Sequence, residues 1–198
     1  MLIYYLVGGI ALDKIYAALL ALFFAGAGVF AVWLHRLGIR KATGTPIFPR
    51  RPVEWGILVW DLVFFLLTGA LRIRPAKNLK NPGKAWFAGV RFSLYGLAGS
   101  CVLYVITQIT DYFVGSSVFS FISLSLVAAN LSAVLTGLLP FPGFDAGTFL
   151  ASKLSPARRE GFEKAEILTF FAFTALALFF ARIGWTFTAI TFPCALLS

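Results

Sequence analysis

The chain has 198 residues, of which 60% are hydrophobic and 13% are charged, and its mean hydropathy is +0.88. Its 17 lysines and arginines outnumber 8 acidic residues, giving a formal net charge of +9. This composition excludes a soluble globule, a disordered chain and a nucleic-acid-binding domain, and it indicates an integral membrane protein. The two cysteines cannot form a disulfide framework. The single histidine restricts metal and haem chemistry, because most catalytic zinc sites use more than one imidazole.

The apolar segments predict an all-α membrane protein with about four to six transmembrane helices, in one membrane domain over residues 1–198 without a soluble domain. A helix needs about 20 apolar residues to cross the hydrocarbon core. Residues 1–12 lack the features of a signal peptide and are expected to be interfacial or partly inserted. The predicted spans are 15–34, a short or re-entrant segment at 56–71, then 86–109, 116–139 and 167–197.

Two consecutive loops are strongly basic, which conflicts with simple alternation across the membrane. The first lies between Leu34 and Gly56, and the second between Leu71 and Trp86. Because an excess of Lys and Arg marks the cytoplasmic side, both loops are expected on the same side. The segment 56–71 between them is therefore predicted to be re-entrant, returning to the side that it entered from.

Three charged residues fall within the predicted spans, namely Asp61, Arg91 and Arg182. An ionised group in hydrocarbon is costly unless it is paired or hydrated. Asp61 is expected to pair with Arg91 or to lie in a polar re-entrant turn, and the alternative is a proton or ion site. Arg182 is expected to extend its charge to the interface.

The segment LTGLLPFPGFDAGTF interrupts the predicted span 116–139 at its end. Pro140 and Pro142 lack backbone donors and end the helix, and Gly143 permits a tight turn before Asp145. A broken helix with a carboxylate at membrane depth must lie inside the protein or beside water. The alternative is a surface loop in which the aspartate caps a helix.

Two other features have simpler interpretations. Ser155-Pro156, followed by a run of Ala, Arg and Glu, predicts a capped, short amphipathic helix. His35 follows Trp33-Leu34 and precedes Arg36, a pattern typical of a helix end at the lipid headgroups. A metal or pigment ligand is the less favoured interpretation of this histidine.

The proline-rich segment resembles the site-2 protease family of intramembrane zinc metalloproteases, whose last metal ligand lies in a motif N-x-x-P-x-P-x-x-D-G. The matching positions are Pro140, Pro142 and Asp145, with Gly147 close to the family's small residues. Gly137 stands where the family has Asn, and Ala146 where it has Gly. By this resemblance, Asp145 corresponds to the family's metal-ligand aspartate.

A second region is similar to the proline-containing stretch that precedes the next transmembrane helix in the same family. It is RIRPAKNLKNPGKAWFAGV, and the positions that carry the likeness are Pro75, Asn78, Asn81 and Pro82. Together, the two regions imply a site-2-protease-like core with one short or re-entrant segment.

The family's activity requires HExxH, in which two histidines bind zinc from one helix face and the glutamate acts on the zinc-bound water. The sequence lacks this motif. One register places it near Gly26, Ala27 and Phe30; another, over residues 53–57, keeps Glu54 but replaces both histidines. The resemblance thus implies the fold and opposes the activity, so we predict no catalytic residues, metal or cofactor, and leave a bound lipid or pigment open.

The expected function is that of a non-catalytic site-2-protease-like protein, acting as a structural or assembly subunit of a larger membrane complex. One alternative is a divergent intramembrane metalloprotease using His35, Glu54 and Asp145, and another is a small ion or proton pathway through Asp61 and Asp145. The expected partners are the lipid bilayer and other membrane-protein subunits, not nucleic acid. The predicted location is the inner or cytoplasmic membrane of a bacterium, or an equivalent organelle membrane.

Overall fold

Every regular element in the described part of the chain is a helix. The computed structural model describes residues 14–46, 52–68, 71–73, 79, 81–114 and 118–179. The helices are α1 (Lys14–Thr43), α2 (Pro52–Thr68), α3 (Pro82–Val114), α4 (Val118–Leu138), α5 (Asp145–Ala151) and α6 (Pro156–Lys164), followed by α7 over 166–179. The predicted all-α class is confirmed.

Three of the described helices are long and apolar enough to cross a bilayer. The candidate spans are Ala21–Thr43 in α1, Pro82–Val114 in α3 and Phe119–Leu138 in α4. Helix α2 has 17 residues and is not among them. The last predicted span is described only as far as residue 179, so the count of four to six stays a prediction. Residues 1–12, Pro75, Asn78 and Arg182 lie outside the described residues.

Helix α1 is longer at its C-terminal end than the hydropathy predicts. The apolar run ends at Leu34, but the helix continues to Thr43. Gly44 then adopts a left-handed conformation with φ 73°, and its N–H donates to the Arg40 carbonyl at 2.8 Å, which closes the helix. The prediction that the element ends at Leu34 was wrong, because lysine and arginine are good helix formers and the helix still buries Ile39.

Helices α3 and α4 form an antiparallel hairpin joined by hydrogen bonds between polar side chains. Asn130 Nδ2 donates to Ser100 Oγ at 3.1 Å, and the hydroxyls of Thr107 and Ser123 are 2.7 Å apart. In a lipid environment such contacts, with close packing, hold helices together, since lipid offers no polar alternative. The hairpin therefore provides the frame against which α1 packs.

Small residues allow α1 to approach α4, and an aromatic pair connects α1 to α2. Ala31 on α1 and Ala133 on α4 are fully buried in the same apolar cluster. The ring of Phe65 on α2 stacks on Phe24 at a centroid distance of 4.5 Å. After α2, the Leu71 N–H donates to Ser132 Oγ at 2.6 Å, which ties the chain back to α4.

The C-terminal ends of α1 and α4 and the N-terminal end of α3 lie at the same end of the bundle. Lys41 Nζ lies 5.1 Å from the ring centroid of Phe92, which connects α1 to α3. Trp86 Nε1 donates to the Gly137 carbonyl at 2.9 Å, which connects α3 to α4. The short helices α5 and α6 follow α4 at this end.

Helix α6 begins where the sequence predicts but is not amphipathic. Ser155 is its N-cap residue, without a side-chain capping bond, and the helix has no buried residue. Two i,i+4 ion pairs lie along it, Arg159–Glu163 and Lys164–Glu160, each at 2.7 Å. The predicted apolar face is absent from α6, because Phe162 is its only large apolar side chain.

Candidate functional site

The predicted helix break is confirmed at the end of α4. The helix ends at Leu138, and α5 begins at Asp145 after a turn that contains Pro140 and Pro142. Neither proline has an N–H to donate, so the helical hydrogen bonds cannot continue through this segment. Pro142 is buried and Pro140 is exposed, which places the turn partly inside the bundle.

Two glycines make this turn possible. Gly143 has φ 81°, a conformation that other residues rarely adopt. Gly147, in α5, lies so close to Phe141 that a Cβ at this position would overlap the Phe141 carbonyl group. The turn thus folds back onto the first turn of α5 and fixes the direction of Asp145.

A buried cluster of polar side chains forms where α1, α3 and α5 meet. His35 Nε2 lies 2.5 Å from Asp145 Oδ2, and His35 Nδ1 is hydrogen-bonded to Ser93 Oγ at 2.9 Å. The exposed fractions are 0% for His35 and Ser93 and 3% for Asp145. The prediction of a headgroup-facing His35 was wrong, because α1 continues past the histidine. Of the two interpretations of Asp145, the structure supports the carboxylate inside the protein and not the surface cap, because the turn directs the side chain inwards.

Glycines surround the imidazole and leave it just enough space. A Cβ on Gly89 would lie 2.6 Å from His35 Nε2, and a Cβ on Gly137 would lie 3.5 Å from His35 Cε1. The first distance is far below a normal contact, so position 89 tolerates no side chain while the ring stays in place. Gly137, where the resembled family has Asn, therefore lies directly beside the histidine.

The donors at this site do not fit zinc, the metal that the resemblance implies. Two ligands bonded to one tetrahedral zinc at about 2.0–2.1 Å are roughly 3.3 Å apart, whereas His35 Nε2 and Asp145 Oδ2 are in direct hydrogen-bond contact. The described residues contain no group of three or more His, Cys, Asp or Glu side chains that could hold a metal ion. The side chain of Glu54 lies outside the described set.

The order Ser93–His35–Asp145 has the connectivity of a serine hydrolase triad, but its surroundings differ. A nucleophile must reach a substrate carbonyl, with oxyanion donors about 3 Å from it. Ser93 is fully buried in the α1–α3 interface, with no exposed surface. In this arrangement Ser93 and Asp145 hold the His35 imidazole in one orientation, and the three side chains connect α1, α3 and α5.

The HExxH register near Gly26, Ala27 and Phe30 does not face Asp145, and the side chains of Val53 and Glu54 in the second register lie outside the described set. Ala27 is buried, but Phe30 is exposed and Gly26 has open space around its Cα. Gly26 precedes His35 by more than two turns of α1, or roughly 13 Å along the axis. The residue of α1 that meets Asp145 is His35, and Ala31 lies one turn before it on the same face with no exposed surface.

A second buried charge secures the other side of the turn. Arg72 has an exposed fraction of 2%, and its guanidinium lies 5.3 Å from the Phe144 ring centroid and 4.9 Å from that of Phe170. Glu166 Oε1, at the start of α7, is 3.6 Å from Arg72 Nη2. These contacts join the segment after α2, the proline-rich turn and α7.

The remaining predicted positions are dispersed. Asp61 is 4% exposed and has an interaction within the structure, while Arg91 is exposed and its Nε donates to Tyr95 Oη at 2.6 Å. The expected pairing of Asp61 with Arg91 was therefore wrong, because Arg91 contacts Tyr95 one turn along its own helix. Pro82 is the first residue of α3, and the preceding Asn81 carbonyl accepts from the Ala85 N–H.

Comparison with known proteins gives no relative: no family model, curated protein or solved structure matches the chain.

Sequence reasoning missed Ser93, Arg72 and Asp111. Ser93 precedes Ser100 and Thr107 at intervals of seven residues, a repeat that marks the packed side of α3. Asp111 accepts from the Ser120 N–H at 2.8 Å at the start of α4, an N-terminal helix contact. Arg72 had no distinguishing signal, since it resembles its basic neighbours in the loop.

Proposed function

We propose that the protein is a non-catalytic member of the site-2 protease class of folds and acts as a structural or assembly subunit of a larger membrane complex. The observation that carries this proposal is the direct, buried hydrogen bond between His35 and Asp145. The aspartate that would bind zinc in the resembled family serves here as the acceptor for the only histidine of the chain.

The position of His35 supports a specific relation to HExxH. With Asp145 as the reference, the five residues Ala31-Val32-Trp33-Leu34-His35 take the place of the motif. The second histidine is then kept, while Ala31 replaces the first histidine and Val32 replaces the glutamate. One zinc ligand and the general base are lost together, and the remaining histidine and aspartate are used for packing.

The path of the chain between α1 and α3 supports the proposal that residues 56–71 form a re-entrant segment, as in the core that the resemblance implies. The chain leaves α1 at Thr43 and enters α3 at Pro82, at the same end of the bundle. Phe65 of α2 meets Phe24 and Gly28, which are at least 15 residues, or roughly 22 Å, below Thr43 along α1. A segment that enters to this depth and returns to its starting side accounts for both basic loops.

The surface of α3 supports the role in a complex. In the most apolar stretch of each helix, only 11% of α3 is buried, compared with 44% of α1 and 50% of α4. Val102, Val105 and Ile109 are each more than half exposed, and they are part of a long apolar surface. Such a surface must be covered by lipid or by apolar helices of other subunits.

The proposal is tested by site-specific photo-crosslinking in native membranes. A photoreactive residue in place of Val105, 59% exposed on α3, is expected to give adducts with other membrane proteins. The matched control is the same residue in place of Val134, 6% exposed on α4, which is expected to give none. A chain that gives only lipid adducts, and that purifies from mild detergent only as a monomer, would contradict the proposal.

A divergent intramembrane metalloprotease is the second candidate, because the fold brings His35 and Asp145 together inside the bundle. This candidate requires further ligands from outside the described residues, with Glu54 as the sequence-based suggestion. Cleavage of a model transmembrane substrate by the purified chain, abolished by Asp145→Ala and by zinc removal, would favour it over the structural role.

A further inference from the structure

The lysines and arginines of the described chain are concentrated at one end of the bundle, here called the basic end: the end formed by Thr43, Pro82 and Leu138, with α5 and α6. Ten of the eleven described cationic residues lie there, and Lys14 is at the opposite end. They are Arg36, Arg40, Lys41, Arg72, Lys84, Arg91, Lys153, Arg158, Arg159 and Lys164. The asymmetry comes from the fold, since these residues are distributed over five separate segments of the chain.

An aromatic stack marks the membrane boundary at the basic end. Trp86 on α3 stacks on Phe149 of α5 at 5.2 Å, and the indole N–H is bonded to the Gly137 carbonyl. Lys153 Nζ lies 5.7 Å from the Phe149 ring centroid, and Lys84, two residues before Trp86 on α3, is exposed. Tryptophan with flanking lysines is typical of the interface between hydrocarbon and headgroups.

A second aromatic pair marks the opposite boundary on the same helix. Tyr112 and Phe113, near the end of α3, are 85% and 79% exposed. Trp86 and Tyr112 are separated by roughly 39 Å along the helix at 1.5 Å per residue. A bilayer measures about 30 Å across its hydrocarbon and about 40–45 Å with its interfaces, so both aromatic groups fit the interfacial layers.

We propose that the basic end faces the cytoplasmic leaflet and that Lys84 and Lys153, on either side of the Trp86–Phe149 stack, bind the headgroup phosphates of anionic lipids. Both side chains are exposed beside the aromatic stack, and neither forms an ion pair with another described residue. Two of the three cations of α6 differ, because Arg159 and Lys164 are paired with Glu163 and Glu160. The two lysines therefore offer unpaired positive charge to a phosphate, whereas the charges of Arg159 and Lys164 are already neutralised by glutamates.

Native mass spectrometry of the full chain tests the lipid contact, with phosphatidylglycerol and phosphatidylcholine of the same acyl chains as probes. The wild type is expected to retain phosphatidylglycerol in preference, and each lysine removed in Lys84→Gln and Lys153→Gln is expected to weaken this binding about fivefold. The matched control is the double variant Arg159→Gln, Lys164→Gln, which loses the same charge and is expected to keep the preference.

Two results would overturn the lipid contact. One is equal retention of the two lipids by the wild type. The other is an equal loss in the double variant Lys84→Gln, Lys153→Gln and in the control double variant, which would reduce the effect to net charge. Crosslinks from Lys84 and Lys153 to an acidic protein, without any lipid preference, would assign the surface to a protein partner instead.

Cysteine labelling in intact cells tests the orientation, in a chain that carries Cys101→Ala and Cys194→Ala. Gly161→Cys places a thiol on exposed α6, where a Cβ meets nothing within 4 Å, and Tyr112→Cys places one at the opposite end. A membrane-impermeant maleimide is expected to label Tyr112→Cys in intact cells and Gly161→Cys only after permeabilisation. Labelling of Gly161→Cys in intact cells would contradict the proposed orientation.

Discussion

The hydrogen bond between His35 and Asp145 joins residues 110 positions apart, and both side chains are buried. Removing one partner from a buried pair leaves the other unsatisfied, at a cost of about 1–3 kcal/mol. The contact therefore stabilises the packing of α5 against α1. Ser93 adds α3 to the same contact through the second ring nitrogen.

We predict that Asp145→Ala lowers the free energy of unfolding by about 1–3 kcal/mol, because the buried imidazole loses its acceptor. Asp145→Asn keeps an oxygen acceptor of the same size and is expected to cost less. Thermal unfolding in a fixed detergent measures both. The double variant His35→Ala, Asp145→Ala should cost less than the sum of the single variants, and strictly additive losses would count against a direct contact.

The space around the imidazole leads to a second prediction. Gly89→Ala places a Cβ against His35 Nε2 and is expected to destabilise the protein by about 1–3 kcal/mol through overpacking. Gly99→Ala, on the same helix with nothing within 4 Å, is the matched control and should be neutral or stabilising by up to about 1 kcal/mol. If both variants unfold at the same temperature, the ring does not occupy the position described.

At the scale of elements, the proline-rich turn determines where α5 begins and so where Asp145 points. We predict that Gly147→Ala disrupts this turn, because its Cβ would overlap the Phe141 carbonyl group and no side-chain rotation can relieve a clash with the backbone. Gly161→Ala in α6, with open space around it, serves as the control. Limited proteolysis is expected to cut the turn of Gly147→Ala and spare that of Gly161→Ala. Equal resistance would mean that the turn does not need a glycine there.

The elements also show which parts of the fold can be predicted from sequence. Two prolines within three residues end a helix by removing backbone donors, so the break after Leu138 was predictable from local chemistry alone. The end of α1 was not, because hydropathy falls at Leu34 whereas the helix is closed ten residues later by Gly44. Hydropathy indicates which residues of a helix can lie in the membrane, but it does not locate the residue at which the helical hydrogen bonds end.

At the scale of the whole molecule, the sequence indicated a membrane protein with few polar groups, and the structure shows that several of these groups are concentrated between helices. The helical class and the apolar spans follow from composition and length. The contact of His35 with Asp145 does not, because it depends on the crossing of α1, α3 and α5 and on the two glycines that admit the ring. A lone histidine beside an arginine gives the same local pattern whether it faces lipid headgroups or a buried carboxylate.

The molecule as a whole is expected to gain zinc if the missing positions are restored. The variant Ala31→His, Val32→Glu recreates HExxH over residues 31–35, and His35, which contacts Asp145, is its second histidine. Ala31 is fully buried, so this variant is expected to be less stable than the wild type. Zinc retained by the variant and lost on adding Asp145→Ala would assign the register of α1 directly.

The zinc content of the purified full-length wild type, measured by elemental mass spectrometry, tests the central claim most directly. The claim is that the His35–Asp145 pair is a structural hydrogen bond and not a pair of metal ligands. The expected result is a zinc content far below stoichiometric that does not change in Asp145→Ala. Stoichiometric zinc in the wild type, lost in both Asp145→Ala and His35→Ala, would contradict the account.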